Sequence, residues 1–328
     1  MDSPFPRSSS AAGEGRIVIR LLPEGISGLQ ALSYQYPLKL VSPTRPSETK
    51  SVLVFLLSFG GGLVGGDIVN LSVDVQTGAK LALVTQGHTK IFKSATPDVV
   101  TRQTMRVQIA ADAALCLLPD PVQPFASSVY EQVQIFRLAR NASLCLLDWV
   151  TQGRTARGEN WSFVRWLGRN EVWALGDAST ERDRLLVRDS VILDNNRAHP
   201  QLPSLRESMH SVGVIGTLLL RGPLMKSLGE FFLGEFAALP RLGARDFRSD
   251  DAKAAAAPLS PREKWRAERL RMERENKLLW SAANVRGCVV VKFGALDVEA
   301  GRSWVGSMLL EEGSVSRHFG DHSLMCVR

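Results

Sequence analysis

The residues best placed to do chemistry in this chain are carboxylates at the ends of apolar runs. Asp67 closes a glycine block, Asp120 stands between two prolines, Asp148 follows a run of leucines and Glu159 comes directly after Gly158. A carboxylate beside a turn has two uses. It accepts backbone N–H bonds and caps the turn, or it lines a polar edge where hard oxygen donors hold a divalent cation weakly, which suits passing a metal on better than storing it. His88 lies in a similar corner, Thr85-Gln86-Gly87-His88-Thr89-Lys90, either as a hydrogen-bonded turn residue or as a metal contact. His318-x-x-x-His322, with Asp321 inside it, would share one face of a helix, but Gly320 falls between the two imidazoles.

Other chemistries are excluded by pattern. Gly60, Gly61, Gly62, Gly65 and Gly66 put five glycines into seven positions directly after the apolar run from Val52 to Leu57. Gly60-x-Gly62-x-x-Gly65 matches the dinucleotide-binding string, which requires a helix next and an acidic residue ~20 positions on. The next segment alternates instead: Val69, Leu71, Val73 and Val75 interleave with Asn70, Ser72, Asp74 and Gln76, the period of a half-buried strand. A phosphate loop fails too, because Asp67 stands where a lysine should neutralise phosphate. The block reads as a tight strand-to-strand turn. No G-x-S-x-G or H-E-x-x-H string is present. Cys116, Cys145, Cys288 and Cys326 form no C-x-x-C pair, which does not suggest a disulfide framework or a zinc site, and three of them lie in or beside apolar strands as expected of core residues in a reducing compartment.

The elements that must position the corner residues come from a degenerate repeat. Gly78-Ala79-Lys80-Leu81, Asp112-Ala113-Ala114-Leu115 and Asn141-Ala142-Ser143-Leu144 each give a turn residue, an alanine and then alternating leucines, with starts 34 and 29 residues apart. An alternating strand precedes each one. The spacing predicts a mainly β, stacked, β-solenoid-like or β-helical scaffold with few helices, whose polar corners fall on one edge. Ordinary sandwich hairpins share the same turn chemistry and remain the plainer alternative.

The organisation expected along the chain is a disordered tail over 1–15, a β-rich core over 16–240, a flexible loop over 241–259 and a 260–328 region packing on the core. Ser260-Pro261-Arg262-Glu263 supplies an N-cap, a first-turn proline and a capping-box glutamate. They start one long charged helix, expected to run to about residue 283 and to be succeeded by C-terminal strands.

Composition narrows the partners. The 328 residues are 45% hydrophobic with a net charge of +7, but the basic residues are dispersed and aromatics are only 7%, which does not suit nucleic acid. Acidic protein partners fit as well. The longest apolar runs, such as 212–220, fall short of the ~18 residues that span a bilayer, so no membrane role and a cytoplasmic location are expected.

Five segments together resemble the urease accessory family UreD, called UreH in some bacteria. They are Tyr36-Pro37-Leu38-Lys39, Gly61-Gly62-Leu63-Val64-Gly65-Gly66-Asp67, Thr85-Gln86-Gly87-His88-Thr89-Lys90, Leu118-Pro119-Asp120-Pro121 and Gly153-Arg154-x-x-x-Gly158-Glu159. The likeness covers roughly residues 30 to 230, and the long 241–259 segment looks like a eukaryotic, fungal-like form. It implies a maturation factor rather than an enzyme, one that binds urease apoprotein and bridges it to UreF and the GTPase UreG. Ni2+ would be in transit only, with no permanently bound cofactor. On this resemblance Asp67, Glu159 and Asp148 line an internal nickel path, and Gly61, Gly62, Gly65, Gly66, Gln86, Thr89 and Lys90 form the structural loops around it; His88 as a nickel contact is an addition to the family pattern. A competing reading is a β-solenoid carbohydrate-active enzyme using paired carboxylates from Asp67, Asp120 and Asp148, which needs two of them ~5–10 Å apart across a groove.

Overall fold

In the computed structural model, the described residues are 11–43, 50–176, 182–195, 203–239 and 260–328. The alternating segments become strands of two sheets. One sheet has seven strands, in spatial order Arg184–Asp194, Arg165–Ala174, Val129–Leu138, Thr101–Ile109, Ile68–Val75, Glu14–Leu21 and Ser27–Tyr34. The second runs Leu279–Val285, Cys288–Ala295, Val214–Arg221, Ser143–Thr151, Ala114–Leu117, Lys80–Val84, Val52–Ser58 and Leu38–Val41, with three short strands branching from it.

From residue 68 to 174 the chain passes back and forth between the sheets, and the long strands it lays down in each sheet lie parallel. The repeat seen in the sequence is the unit of this stack. Leu81, Leu115 and Leu144 lie level across three parallel strands. The turn residues Gly78, Asp112 and Asn141 all sit in the left-handed region, at φ 72°, 56° and 57°. Glycine, Asp and Asn are the residues that tolerate that conformation best, which explains why the three repeats share a position but not a residue. Antiparallel strands flank the parallel stack at both ends of each sheet, and among the described residues neither sheet closes into a barrel.

Two cores result. Leu81, Leu83, Leu115, Leu117, Leu144 and Leu146 face the first sheet. On the same strands Ala114, Cys116, Cys145, Leu147 and Trp149 point the other way, against the helices Lys226–Ala237 and Val298–Glu312. Ser143–Thr151 is therefore covered on both faces, and all nine of its residues are buried. All four cysteines are free and buried.

Three expectations change. The charged helix begins at its capping box as expected but spans Pro261–Glu275. It stops because Lys277 turns to φ 48°, and Leu279–Val285 then pairs as a hairpin with Cys288–Ala295 through Arg286-Gly287, both at positive φ. After that strand the chain is helical, with Val298–Glu312 and Ser314–Phe319 where further strands were expected. The expected disordered tail over 1–15 overlaps ordered structure, because Glu14 already begins a strand; residues 1–10 and the 241–259 loop lie outside the described residues. Among the described residues no helix is long and apolar enough to cross a membrane.

Candidate functional site

The glycine block is built by backbone geometry. Gly60, Gly61 and Gly66 have positive φ, Gly62 is a position whose neighbours lie too close for a side chain, and Gly65 is tightly packed, with an added Cβ falling 3.1 Å from the Lys93 and Ser94 backbone. A Cβ on Gly62 would meet the Phe92 ring at 2.5 Å and the Lys90 carbonyl at 2.7 Å. Asp67 finishes the turn: its Oδ2 accepts the Val64 N–H at 2.7 Å while its own N–H donates to the Val64 carbonyl at 3.0 Å. Thr101 Oγ1 ties the same turn together by donating to the Val64 carbonyl and accepting from the Gly66 N–H.

The polar corners do stack. Gly62–Leu63 pairs with Thr89–Ile91, which pairs with Val122–Pro124, which reaches Val150, all in parallel. Gln86 and Lys90 are exposed and Thr89 is half-buried within this edge. Asp120 is buried and accepts from Thr85 Oγ1 at 3.0 Å, the Gly87 N–H at 2.8 Å and Arg302 Nη2 at 3.0 Å. His88 sits beside it, half-buried. Burial lowers its pKa, the Asp120 charge opposes this, and Arg302 and Lys90 add to it, so the imidazole is neutral at neutral pH.

Glu159 is held by its own loop. It accepts from the Arg154 N–H at 2.8 Å and from Arg154 Nε at 3.0 Å, and that guanidinium lies 3.7 Å over the Phe125 ring. Burial alone would raise its pKa, but the hydrogen bonds from Arg154 and from the Ala126 backbone outweigh burial and lower it.

Asp148 is different, because the alternation of Ser143–Thr151 turns it into the space between the sheets. There it accepts from Gln132 Nε2 at 2.9 Å and Asn170 Nδ2 at 2.6 Å, both from the opposite sheet. Tyr130 donates to Gln132 Oε1 at 3.1 Å, extending the network. Burial raises the Asp148 pKa against the pull of its two amide bonds. Asn170 Oδ1 is buried with no partner among the described residues. A cavity of about 1100 Å³ opens beside this network, bounded by Asp148, Trp166, Asp189, Thr217 and Lys292.

Sequence patterns alone do not single out Gln132, Asn170, Asp189 and Lys292. Their signal is polarity in phase with buried neighbours, such as Gln132 between Tyr130 and Phe136, and it becomes readable only when the facing sheet is known. The site residues named from sequence are not gathered into one centre. Asp67 and Glu159 close separate corners, His88 joins the Asp120 corner and Asp148 lies inside. Among the described residues no three of His, Cys, Asp and Glu group closely enough to hold a metal ion. His318 and His322 do not share a helix face either: Gly320, at φ 91°, separates them and His322 Nε2 lies 3.3 Å from Ser51 Oγ. The carboxylates of the carbohydrate-enzyme reading are each held by a different structural partner, Asp67 by a turn amide, Asp120 by an arginine and Asp148 by two buried side-chain amides.

A family model described as "UreD urease accessory protein" matches residues 11–320. An "uncharacterized urease accessory protein ureD-like" of Schizosaccharomyces pombe is 30% identical over 93% of this chain and 96% of its own length. "Urease accessory protein UreD" of Sorangium cellulosum is 37% identical over 69% of this chain and 67% of its own. "Urease accessory protein D" of Arabidopsis thaliana is 32% identical over 65% of this chain and 69% of its own.

Proposed function

The chain belongs to the UreD family of urease accessory proteins, maturation factors rather than enzymes, and from that premise we propose that it binds urease apoprotein in the cytoplasm and couples it to UreF and the GTPase UreG while nickel is inserted. Nickel would travel through the space between the two sheets. The observation that carries this reading is Asp148: a carboxylate among apolar leucines whose hydrogen-bond donors among the described residues are two neutral amides, beside a cavity and a buried carbonyl oxygen that has no partner among the described residues. Such a group is costly to bury with no cation bonded to it directly, and a cation in transit would supply that bond. We read the parallel stack as a short two-sheet β-solenoid, with Asp148 a polar group set into its packed interior. Asp67, Glu159 and His88 then serve the path from its outer edge, by fixing the corners where the coils turn.

The test is co-expression with urease apoprotein and the other accessory factors, and then measurement of nickel bound to purified urease. Asp148→Asn should leave the complex assembled and lower the nickel content of urease. Full nickel loading by an assembled Asp148→Asn complex would overturn the path. Asp67→Ala and Glu159→Ala in the same assay should act only as far as they loosen their corners, so nickel loading and thermal stability should fall together.

A further inference from the structure

Lys292 occupies a position where strand alternation calls for a core residue. Along Cys288–Ala295, Val289, Val291 and Phe293 join the helix-side core, whereas Cys288 and Val290 pack toward the space between the sheets. Lys292 is in phase with the second set. Its ammonium lies 2.5 Å from Asp189 Oδ1 and 3.4 Å from Thr217 Oγ1. Thr217 is the cross-strand neighbour of both Asp148 and Lys292, and Asp189 is the cross-strand neighbour of Asn170, the residue that holds Asp148. Two bonded groups, Asn170 with Asp148 and Lys292 with Asp189 and Thr217, thus stand side by side on neighbouring strands of the two sheets. Asp148, Asp189, Thr217 and Lys292 all border the same cavity.

The two groups are rich in oxygen and contain one cation. Asp148 and Asp189 bring two carboxylates to the border of one cavity, and Asn170 is 2% exposed with its carbonyl oxygen unpartnered among the described residues. Two carboxylates, an amide carbonyl and a hydroxyl are the donor set of a hard divalent cation. A lysine ammonium placed among them relieves their mutual repulsion when no metal is present. It is also replaceable. Its side chain is 48% exposed against 11% for Asp189, so the flexible stem can carry the ammonium outward, and a doubly charged ion is attracted more strongly by the same carboxylates.

We propose that Lys292 is the stand-in cation of a divalent-metal way-station formed by Asp148, Asp189, Asn170 and Thr217, and that its ammonium gates this station by withdrawing as the metal arrives. This rests on the nickel-path reading and adds to it a site, its ligands and a displaceable gate. No bond is made or broken; a 2+ ion replaces a 1+ ammonium beside two carboxylates. The arrangement also rejects monovalent ions, which offer the carboxylates no more charge than the lysine already does.

The test measures nickel binding by equilibrium dialysis on the full-length chain purified in its accessory complex. Lys292→Met should bind nickel roughly tenfold more tightly than wild type, since a unit of opposing charge has been removed. Lys292→Arg should behave as wild type. Adding Asp189→Asn to Lys292→Met should erase the gain. An unchanged affinity in Lys292→Met, or a gain that survives Asp189→Asn, overturns the proposal. If Lys292→Met does not keep the wild-type circular dichroism, Lys292→Gln carries the same expectation. Urease loading by Asp148→Asn separates the two readings. Normal loading together with the Lys292 and Asp189 pattern would refute the path and leave the site standing, whereas lost loading with no Lys292 effect would keep the path and refute the gate.

Discussion

Glu235 and Asp148 are both buried carboxylates, on opposite sides of the same sheet, and they are treated in opposite ways. Glu235, on the helix Lys226–Ala237, is fully enclosed and meets Arg262, Arg266 and Arg269. Bonds from Arg266 lead the causes that lower its pKa, against the cost of burial. Arg269 passes the network on to Glu273, which accepts from Trp304 Nε1 at 2.9 Å. Asp148 is bonded to two amides rather than to arginine, and burial raises its pKa. The difference separates two purposes. A carboxylate saturated with cations welds the charged helix to the helix-side core, whereas one hydrogen-bonded to neutral amides makes no such weld, and on the proposed nickel path its charge would meet an arriving cation.

The largest expected effect falls on the weld. Glu235→Ala leaves three guanidinium groups without their shared partner and should cost about 3–5 kcal/mol in urea unfolding, the range for breaking a buried pair. If Glu235→Ala proves as mild as a surface substitution, the two carboxylates are not opposites after all. Asp148→Asn should stay within about 1 kcal/mol of wild type in the same measurement, because it removes a poorly compensated charge, while lowering urease nickel loading. A large stability loss there would make Asp148 a second weld.

Acid sharpens the contrast. Because the folded Glu235 pKa lies below its ordinary 4.5, the stability it contributes is full above pH 4.5 and is lost as pH falls through the lower folded value. Glu235→Gln should therefore flatten the acid limb of the stability profile below pH 4.5, as read by thermal midpoints across pH. The smallest effect concerns Trp166, whose buried Nε1 has no partner among the described residues beside the Asp148 cavity. Trp166→Phe should leave stability unchanged or raise it by up to about 1 kcal/mol, since it removes an unmet donor. A clear loss would mean that this donor is satisfied in solution and that the cavity side is as well bonded as the weld.

Local chemistry made much of the fold legible. The shared left-handed turn at Gly78, Asp112 and Asn141, with a buried alanine directly after it, marks the start of each of the three repeats in the stack. The capping box at Ser260 and Glu263 set the start of the charged helix. Its end was hidden, because favourable residues continue past Glu275 while the decisive event is a left-handed Lys277 and a hairpin formed with a later strand. Partners of the carboxylates were hidden for a related reason. Arg302 reaches Asp120 across 182 residues, and Asn170 meets Asp148 from the other sheet. Periodicity says which residues face inward on each strand, but it does not say which inward faces meet.

Ser143–Thr151 is the shared wall of two cores, and its parity has an evolutionary cost. Asp148 faces the space between the sheets only because an odd-even count, begun at the Asn141 turn, is kept without error through seven residues. One inserted or deleted residue there would turn Asp148 against Trp304 and the helices and carry Trp149 into the space between the sheets. Length variation among relatives should therefore collect in the corners and be purged from this strand, so that alignment gaps alone would trace the wall shared by the two cores.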